Sequence, residues 1–192
     1  MRRIILNIGE LAVSKEEVLL ETILGSCVAV CLWDERQRIG GLNHFLLPHE
    51  PLGVEKSTVY GETSIDTLVE QIHDLGADMT GLRAQIFGGG SLSSPLEDIF
   101  EIGSENVKIA RERMRHYGIP VVGGHMGDNN GIRVSLRIST GEVTVCPLGT
   151  GTKKLAHFEA TEMARLSKPC NTCIRCGSCD ELGIKRRKGR TP

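Results

Sequence analysis

A strand–turn–strand pattern early in the chain constrains its fold more than any other segment. Residues 25–33 form a mostly apolar run, residues 34–37 are polar, and residues 39–47 form a second apolar run that Pro48 ends. Two apolar runs of this length around a short polar turn are typical of a β-hairpin. Proline stops a strand because it lacks the N–H group that the ladder of hydrogen bonds needs. The sequence therefore predicts an antiparallel hairpin here.

The predicted hairpin brings a cysteine and a histidine together. A turn centred at residues 35–36 would pair Cys27 directly with His44, and directly opposed residues have Cβ atoms about 5 Å apart. A neighbouring histidine lowers the pKa of a thiol, which yields a nucleophilic thiolate at neutral pH. The alternative is structural. Cys27 would then be a small buried hydrophobic residue, as we expect for Cys31 on the same face, and His44 a hydrogen-bonded core residue.

The residues before Cys27 suit acyl-transfer chemistry. The glycine and serine at 25–26 allow a tight backbone whose N–H groups could receive an oxyanion. A complete triad needs a third polar group that orients the histidine, and Thr22 is the candidate because it lies shortly before the nucleophile. On pattern alone, Thr22 could equally be an ordinary strand residue. Asn43 is a poor choice because alternation along the strand places it on the face opposite to His44.

The rest of the pattern mixes strands and helices. Apolar residues at helical spacing predict one helix that ends at Gly76 and another that ends at Gly118. Further strands are predicted in the segments 3–8, 18–20, 84–87, 119–122, 132–139 and 142–146. Antiparallel strand pairs with two helices between them are typical of the α+β class. Gly88–Gly90 lacks the residues that complete a phosphate-binding loop, so we interpret it as a turn or a close backbone approach beside the site.

Composition restricts the classes of function. The chain has 192 residues, 40% of them hydrophobic, and a net charge of -1, which fits one well-buried core and gives no basic bias toward nucleic acid. No segment approaches the roughly 20 apolar residues of a membrane span, and the apolar stretch near the N-terminus is too short for a signal peptide. We therefore expect a cytoplasmic protein that is not membrane-inserted, whose cysteines are thiols or metal ligands rather than structural disulfides.

The chain divides into a body, residues 1–150, and a C-terminal extension, residues 151–192. The extension begins with a short amphipathic helix that Pro169 breaks. Four cysteines follow at a regular spacing that is typical of metal ligands, namely Cys170, Cys173, Cys176 and Cys179. A zinc ion with four thiolates and an iron–sulfur cluster are both candidates, and the alternative is a redox-labile tail without a fixed metal. The basic end, residues 185–190, could touch a membrane surface or acidic receptor helices, but such an end is more often only solvated.

Several segments of the body resemble the signature of the CheD family of chemoreceptor glutamine deamidases. The resemblance is carried, in the right order and spacing, by residues 22–34, 41–48, 60–61, 87–89, 102–107 and 140–141. It covers roughly residues 3–148 and is more specific than any single short motif of the chain. The four tail cysteines are not part of the usual family body. Family members often carry a Gly-Gly pair and an arginine before the last hairpin, and because this chain departs from that pattern Arg133 is given no role.

The resemblance implies an amidohydrolase that converts selected receptor glutamine side chains to glutamate and releases ammonia. Cys27 would be the nucleophile, His44 the base and Thr22 the third member of the triad, with Glu21 at the neighbouring position; no cofactor is implied for catalysis. The fold implied is a layered sandwich of mostly antiparallel sheet flanked by helices, similar to bacterial toxin deamidases that use a Cys–His pair. The partners implied are methyl-accepting chemotaxis receptors and CheC, a phosphatase of phosphorylated CheY.

Three hypotheses from different classes follow. The favoured one is a thiol amidohydrolase that acts on receptors. The second is a non-catalytic adaptor that uses the same face to bind and stimulate a CheC-like phosphatase, and the two can coexist. The third is a metal or redox module in which the cysteine-rich tail is the functional part.

Overall fold

The computed structural model describes residues 1–53, 55–91, 97–128, 130–149 and 152–166. The elements within these ranges are β1 Arg2–Ile5, β2 Leu11–Ser14, β3 Val18–Leu24, β4 Val28–Asp34, β5 Ile39–Asn43, α1 Gly61–Asp74, β6 Leu82–Gly88, α2 Glu97–His116, β7 Val121–Met126, β8 Ile132–Arg137, β9 Glu142–Pro147 and α3 Thr152–Leu166. Mostly antiparallel strands are interrupted by two long helices, so the α+β class is confirmed.

Two sheets pack face to face, and helices cover one of them. The four-stranded sheet has the order β1-β3-β8-β9, and the five-stranded sheet has the order β2-β5-β4-β6-β7. Neighbouring strands are antiparallel except for the parallel pairs β1–β3 and β6–β7. Helices α1 and α2 pack on the outer face of the five-stranded sheet. The three layers, helix, sheet and sheet, match the expected layered sandwich.

The side chains of β4 alternate between two hydrophobic cores. Val28, Val30 and Leu32 belong to the core between the five-stranded sheet and the helices. Cys27, directly before the strand, and Cys31 belong to the core between the two sheets. A strand in the middle layer is buried on both faces. This explains why the sequence of β4 is a continuous apolar run rather than an alternation of apolar and polar residues.

The hairpin of β4 and β5 is present, but its predicted register is wrong by two residues. Asp34 pairs with Ile39, so the connecting loop has four residues instead of two. The Asp34 carboxylate accepts hydrogen bonds from the backbone N–H groups of Arg36 and Gln37, at 2.9 and 3.2 Å. Arg38 closes the loop in the left-handed conformation, with φ of 54°. A shift of two residues leaves every side chain on its predicted face.

Trp33, the single tryptophan of the chain, joins the two sheets. Its indole Nε1 donates a hydrogen bond to the backbone carbonyl of Ile138, just beyond β8, at 3.0 Å. The indole also covers the turn between β8 and β9, where a Cβ added to Gly141 would lie 2.2 Å from the ring. Gly141 has a φ of 69°, so both its conformation and its neighbour favour glycine. The predicted hairpin around this glycine is confirmed.

The predicted helix ends are also confirmed. Gly76 and Gly118 follow α1 and α2 and have φ values of 100° and 67°, as expected of glycine after a helix. The first strand is shorter than predicted, since it ends at Ile5, and β2 was not predicted. Helix α3 confirms the amphipathic segment of the extension, whereas the division at residue 150 stays a prediction. In the described ranges no helix is long and apolar enough to cross a membrane.

Candidate active site

Cys27 and His44 lie on the same side of the five-stranded sheet. Val28 and Phe45 exchange backbone hydrogen bonds of 3.1 and 3.0 Å, and the residues before them point to the opposite face, toward the other sheet. In this register Cys27 lies across from Leu46, and His44 is its diagonal neighbour rather than the direct partner that the sequence predicted. Diagonal neighbours on a sheet are about 7–8 Å apart, which long and aromatic side chains can span.

Thr22 fixes the orientation and the tautomer of His44. The threonine hydroxyl lies on β3 of the other sheet, 2.8 Å from the carbonyl oxygen of Leu6 and 2.7 Å from His44 Nδ1. A carbonyl can only accept, so the single hydroxyl proton goes to Leu6 and Nδ1 must donate to the threonine oxygen. The neutral ring therefore carries its proton on Nδ1, and Nε2 keeps the lone pair that a general base needs.

Nε2 of His44 is buried and has no hydrogen-bond partner among the described residues. Burial lowers the pKa of His44 to about 4, because the imidazolium ion would lose its hydration, although the carbonyl of Leu6 and the charge of Glu10 oppose this shift. The imidazole is therefore neutral at pH 7. Its Nε2 lone pair is free to accept a proton.

Cys27 is a protonated thiol in this arrangement. Its side chain is fully buried, and burial raises its pKa well above the ordinary value; the charge of Glu159 and a hydrogen bond with its carboxylate raise the pKa further. The expectation that His44 lowers the pKa of this thiol is therefore wrong for the structure described. Cys31 is buried in the core between the sheets, as expected, and this burial raises the pKa of its thiol.

The glycines 88–90 support the loop that carries Cys27. The N–H groups of Gly89 and Gly90 donate to the carbonyl oxygens of Cys27 and Gly25, at 2.8 and 2.7 Å. A Cβ at Gly88 would lie 2.1 Å from the carbonyl oxygen of Cys27, so two backbones meet where no side chain fits. The interpretation of this segment as a close backbone approach beside the site is confirmed.

Two side chains to which sequence reasoning gave no role also hold this loop. Glu159 of α3 accepts the N–H of Gly25 on Oε1, at 2.9 Å, and the N–H and hydroxyl of Ser26 on Oε2, at 2.8 and 2.7 Å. Asn106 of α2 donates its side-chain amide to the carbonyl oxygens of Ser26 and Leu46, at 3.2 and 2.8 Å. The loop before the candidate nucleophile is thus fixed from two sides.

Comparisons with known proteins agree on one family. The family described as CheD chemotactic sensory transduction matches residues 46–146. A protein of Rhodospirillum rubrum named "Probable chemoreceptor glutamine deamidase CheD" is 39% identical over 71% of this chain and 77% of its own length. "Chemoreceptor glutamine deamidase CheD" of Thermotoga maritima is 34% identical over 77% of this chain and 93% of its own length. The chain belongs to the CheD family.

The CheD match confirms the family resemblance found in the sequence. It starts at residue 46, so the three candidate residues Thr22, Cys27 and His44 all precede the matched segment of the CheD chain. Among solved structures, "Crystal structure of Bacillus licheniformis hypothetical protein YfiH" is 16% identical to this chain, with a TM-score of 0.41, and the match covers 62% of this chain and 50% of that one.

The neighbours of the site agree with the sequence in part. Asn43 accepts the N–H of Val30 at 2.7 Å and donates to Ser64 at 3.0 Å, so it faces α1 and not the thiol. Glu21 forms an ion pair with Arg3 and accepts a hydrogen bond from the hydroxyl of Ser135, so its partners differ from those of Thr22.

The four predicted metal ligands of the tail, Cys170, Cys173, Cys176 and Cys179, lie outside the described residues. Within the described ranges no group of three or more His, Cys, Asp or Glu side chains could hold a metal ion.

Glu159 could have been found from a pattern in the CheD sequence. It lies four residues after Leu155 and four before Met163, so it occupies the apolar stripe of α3 rather than its polar face. An ionised residue on the buried side of a helix needs hydrogen-bond donors on the surface against which the helix packs. The pattern therefore signals a polar contact, although not which part of the fold supplies it.

Proposed function

We propose that this CheD protein is a chemoreceptor glutamine deamidase with Cys27 as its nucleophile. The proposal is supported above all by the hydrogen bond from His44 Nδ1 to Thr22, because it leaves the lone pair of Nε2 on the side of the sheet where the thiol lies. His44 is then the general base and Thr22 the residue that orients it. The names of the relatives supply the substrate class, glutamine side chains of chemoreceptors.

The reaction starts when the thiol of Cys27 gives its proton to Nε2 of His44. The thiolate attacks the carbon of the glutamine carboxamide, and the N–H groups of Gly25 and Ser26 donate to the oxyanion of the tetrahedral intermediate. The imidazolium protonates the departing nitrogen, so ammonia leaves and a thioester remains. A water molecule that His44 deprotonates then attacks the thioester, which releases glutamate and restores the thiol.

Mass spectrometry of a receptor cytoplasmic fragment, incubated with the purified protein, tests this proposal. We expect specific glutamines to become glutamate with the wild type and to remain unchanged with Cys27→Ala. Cys31→Ala is the matched control, because Cys31 lies buried on the same face but in the middle of β4. Absence of conversion by folded, reduced wild-type protein would contradict the deamidase function.

A second candidate function is the adaptor that binds and stimulates a CheC-like phosphatase of phosphorylated CheY. The complete burial of Cys27 favours it, since binding needs no reactive thiol. Phosphate release from phosphorylated CheY, measured with added CheC, tests this function. Cys27→Ala should preserve the stimulation while it abolishes deamidation, and equal loss of both activities would indicate a folding defect.

We also propose a cytoplasmic location and a metal site in the tail, both from the sequence. The ligands would be Cys170, Cys173, Cys176 and Cys179. Elemental analysis of the full chain distinguishes zinc from an iron–sulfur cluster. Removal of residues 168–192 should leave deamidation intact if the tail is accessory, and complete loss of activity in a folded truncation would show that the tail is required.

A further inference from the structure

Helix α3 presents a carboxylate to the candidate nucleophile. The side chain of Glu159 is 1% exposed. Its two oxygens receive the N–H groups of Gly25 and Ser26 and the hydroxyl of Ser26. Burial, and after it the charge of this carboxylate, raises the pKa of the neighbouring Cys27 thiol. Burying a carboxylate is unfavourable unless its oxygens are hydrogen-bonded. The loop before Cys27 therefore works as a binding site for a flat acyl group with two polar atoms.

A glutamate carboxylate is also the chemical product of glutamine deamidation. The side chain of Glu159 has the carbon skeleton of the product, and the N–H groups that it occupies are those that would stabilise the oxyanion. We propose that Glu159 is a built-in product analogue that fills the carboxamide subsite, so α3 must leave before a substrate glutamine can enter. This inference rests on the proposed deamidase function and assigns the subsite to Gly25 and Ser26.

One contact blocks the site in two ways. The carboxylate of Glu159 occupies the donors at residues 25–26, so a substrate carboxamide has no place to bind. The same negative charge opposes formation of the thiolate on Cys27, because two like charges would face each other in a buried environment. Departure of α3 removes both obstacles at once. Access and activation of the nucleophile are therefore coupled.

The contacts that hold α3 against the rest of the protein are few enough to allow the helix to move away. Met163 packs into the core between the sheets, and at the start of the helix the N–H of Gly131 donates to the Thr152 hydroxyl at 3.1 Å. Phe158, by contrast, is 52% exposed. A cavity of about 190 Å³ is lined by Leu155 and Phe158 of the helix, by residues 5–8 and by His44. Elements with little buried apolar surface open at low free energy.

The variant Glu159→Gln tests the inference directly, because it places a carboxamide in the proposed subsite. We expect the full-length variant to convert the introduced glutamine back to glutamate by itself, seen as the mass change from amide to acid in the peptide that contains this position. The rate should not depend on protein concentration, since the reaction is intramolecular. The double variant with Cys27→Ala should remain an amide. Glu162→Gln is the matched control on the same helix, because Glu162 pairs with Arg165 and not with the loop.

The variant Glu159→Ala tests the release of the site. We expect it to deamidate a receptor fragment at least about tenfold faster than the wild type at low substrate, and its thiol at Cys27 to be alkylated by iodoacetamide faster by a similar factor, corresponding to about 1.4 kcal/mol. Circular dichroism checks the fold of both variants. If the wild type deamidates the receptor but the amide of Glu159→Gln persists and Glu159→Ala is no faster, the product-analogue inference is wrong. If no folded variant deamidates either substrate, the deamidase function itself is wrong.

Discussion

Cys27 and Cys31 are four residues apart, buried on the same face, and burial raises the thiol pKa of both. They differ in what the backbone around them does. Cys31 lies inside β4, between Leu42 of β5 and Gln85 of β6, where the backbone is paired with a strand on each side. Cys27 lies one residue before the strand, where the loop at 25–26 turns its N–H groups toward a side chain. The two cysteines thus differ in their position relative to the strand and not in burial or residue type, and functional residues lie on loops more often than within strands.

Replacing each cysteine by alanine should give the largest difference in deamidation rate between two variants. Cys27→Ala should lower the deamidation rate by at least about 10³-fold, because the nucleophile is lost. Cys31→Ala should keep the rate within about threefold and lower the free energy of unfolding by about 1 kcal/mol, as a small core truncation does. Initial rates on a receptor fragment and urea titrations measure the two effects. Similar rate losses in both variants would remove the distinction between the two cysteines.

Thr22→Val should separate the orientation of His44 from the packing of β3. Valine has nearly the same shape but cannot accept the Nδ1 proton, so we expect kcat to fall by about 10²-fold with a small change in KM. Thr22→Ser should restore most of kcat because its hydroxyl can make both hydrogen bonds. A shifted pH profile of kcat in the valine variant would show that the effect passes through the histidine. An unchanged kcat would contradict the role of Thr22.

His44 should make stability depend on pH in a way that Cys31 does not. Its pKa is about 4 in the folded protein and about 6.5 when unfolded. Between these values the unfolded chain binds the extra proton, so the stabilisation is complete above pH 6.5 and falls by about 3 kcal/mol as the pH drops to 4. Urea titrations at pH 7.5 and 5 should show a smaller loss for His44→Gln than for the wild type. His73→Gln, at an exposed site, should behave like the wild type.

Asn106→Ala should have a smaller effect on the deamidation rate than the variants above, because it removes a support of the loop of Cys27 and no reacting group. The variant loses the hydrogen bonds to Ser26 and Leu46, and we expect a loss of about 1–2 kcal/mol in the free energy of unfolding. Deamidation should fall severalfold because the loop at the nucleophile is less well fixed. The exposed residue Asn7 provides a control, since Asn7→Ala should change stability by less than about 0.5 kcal/mol. Equal changes in stability and deamidation rate for the two variants would argue against the support of the Cys27 loop by Asn106.

The sequence predicted the parts of the fold that depend on local periodicity. The helix ends at Gly76 and Gly118 follow from apolar spacing and the conformation of glycine. The register of the hairpin could not be predicted in this way, because the apolar pattern fixes only the face on which each residue lies. The length of the loop depends on the Asp34 carboxylate and on the left-handed conformation of Arg38, and neither is visible in periodicity.

The candidate site was predictable where its residues lie near one another in the chain, namely Cys27 and His44 in the hairpin and Thr22 shortly before it. Cys27 and His44 could be placed on one face because they lie in neighbouring strands. The contacts of Glu159 and Asn106 with the same loop span more than 75 positions of the chain, and single-sequence patterns do not report contacts at that separation. Burial of the thiol raises its pKa most, and the charge of Glu159 raises it further, so the electrostatic state of the site could not be predicted correctly.

The position of Trp33 has a practical consequence for experiments on this protein. Its indole lies where the five-stranded sheet meets the β8–β9 turn and bonds to Ile138, and it is the only tryptophan. Intrinsic fluorescence therefore reports separation of the two sheets, whereas the movement of α3 takes place at a different contact. If the tryptophan emission stays constant while the thiol of Cys27 becomes accessible to alkylation, then α3 has moved away while the two sheets have stayed packed together.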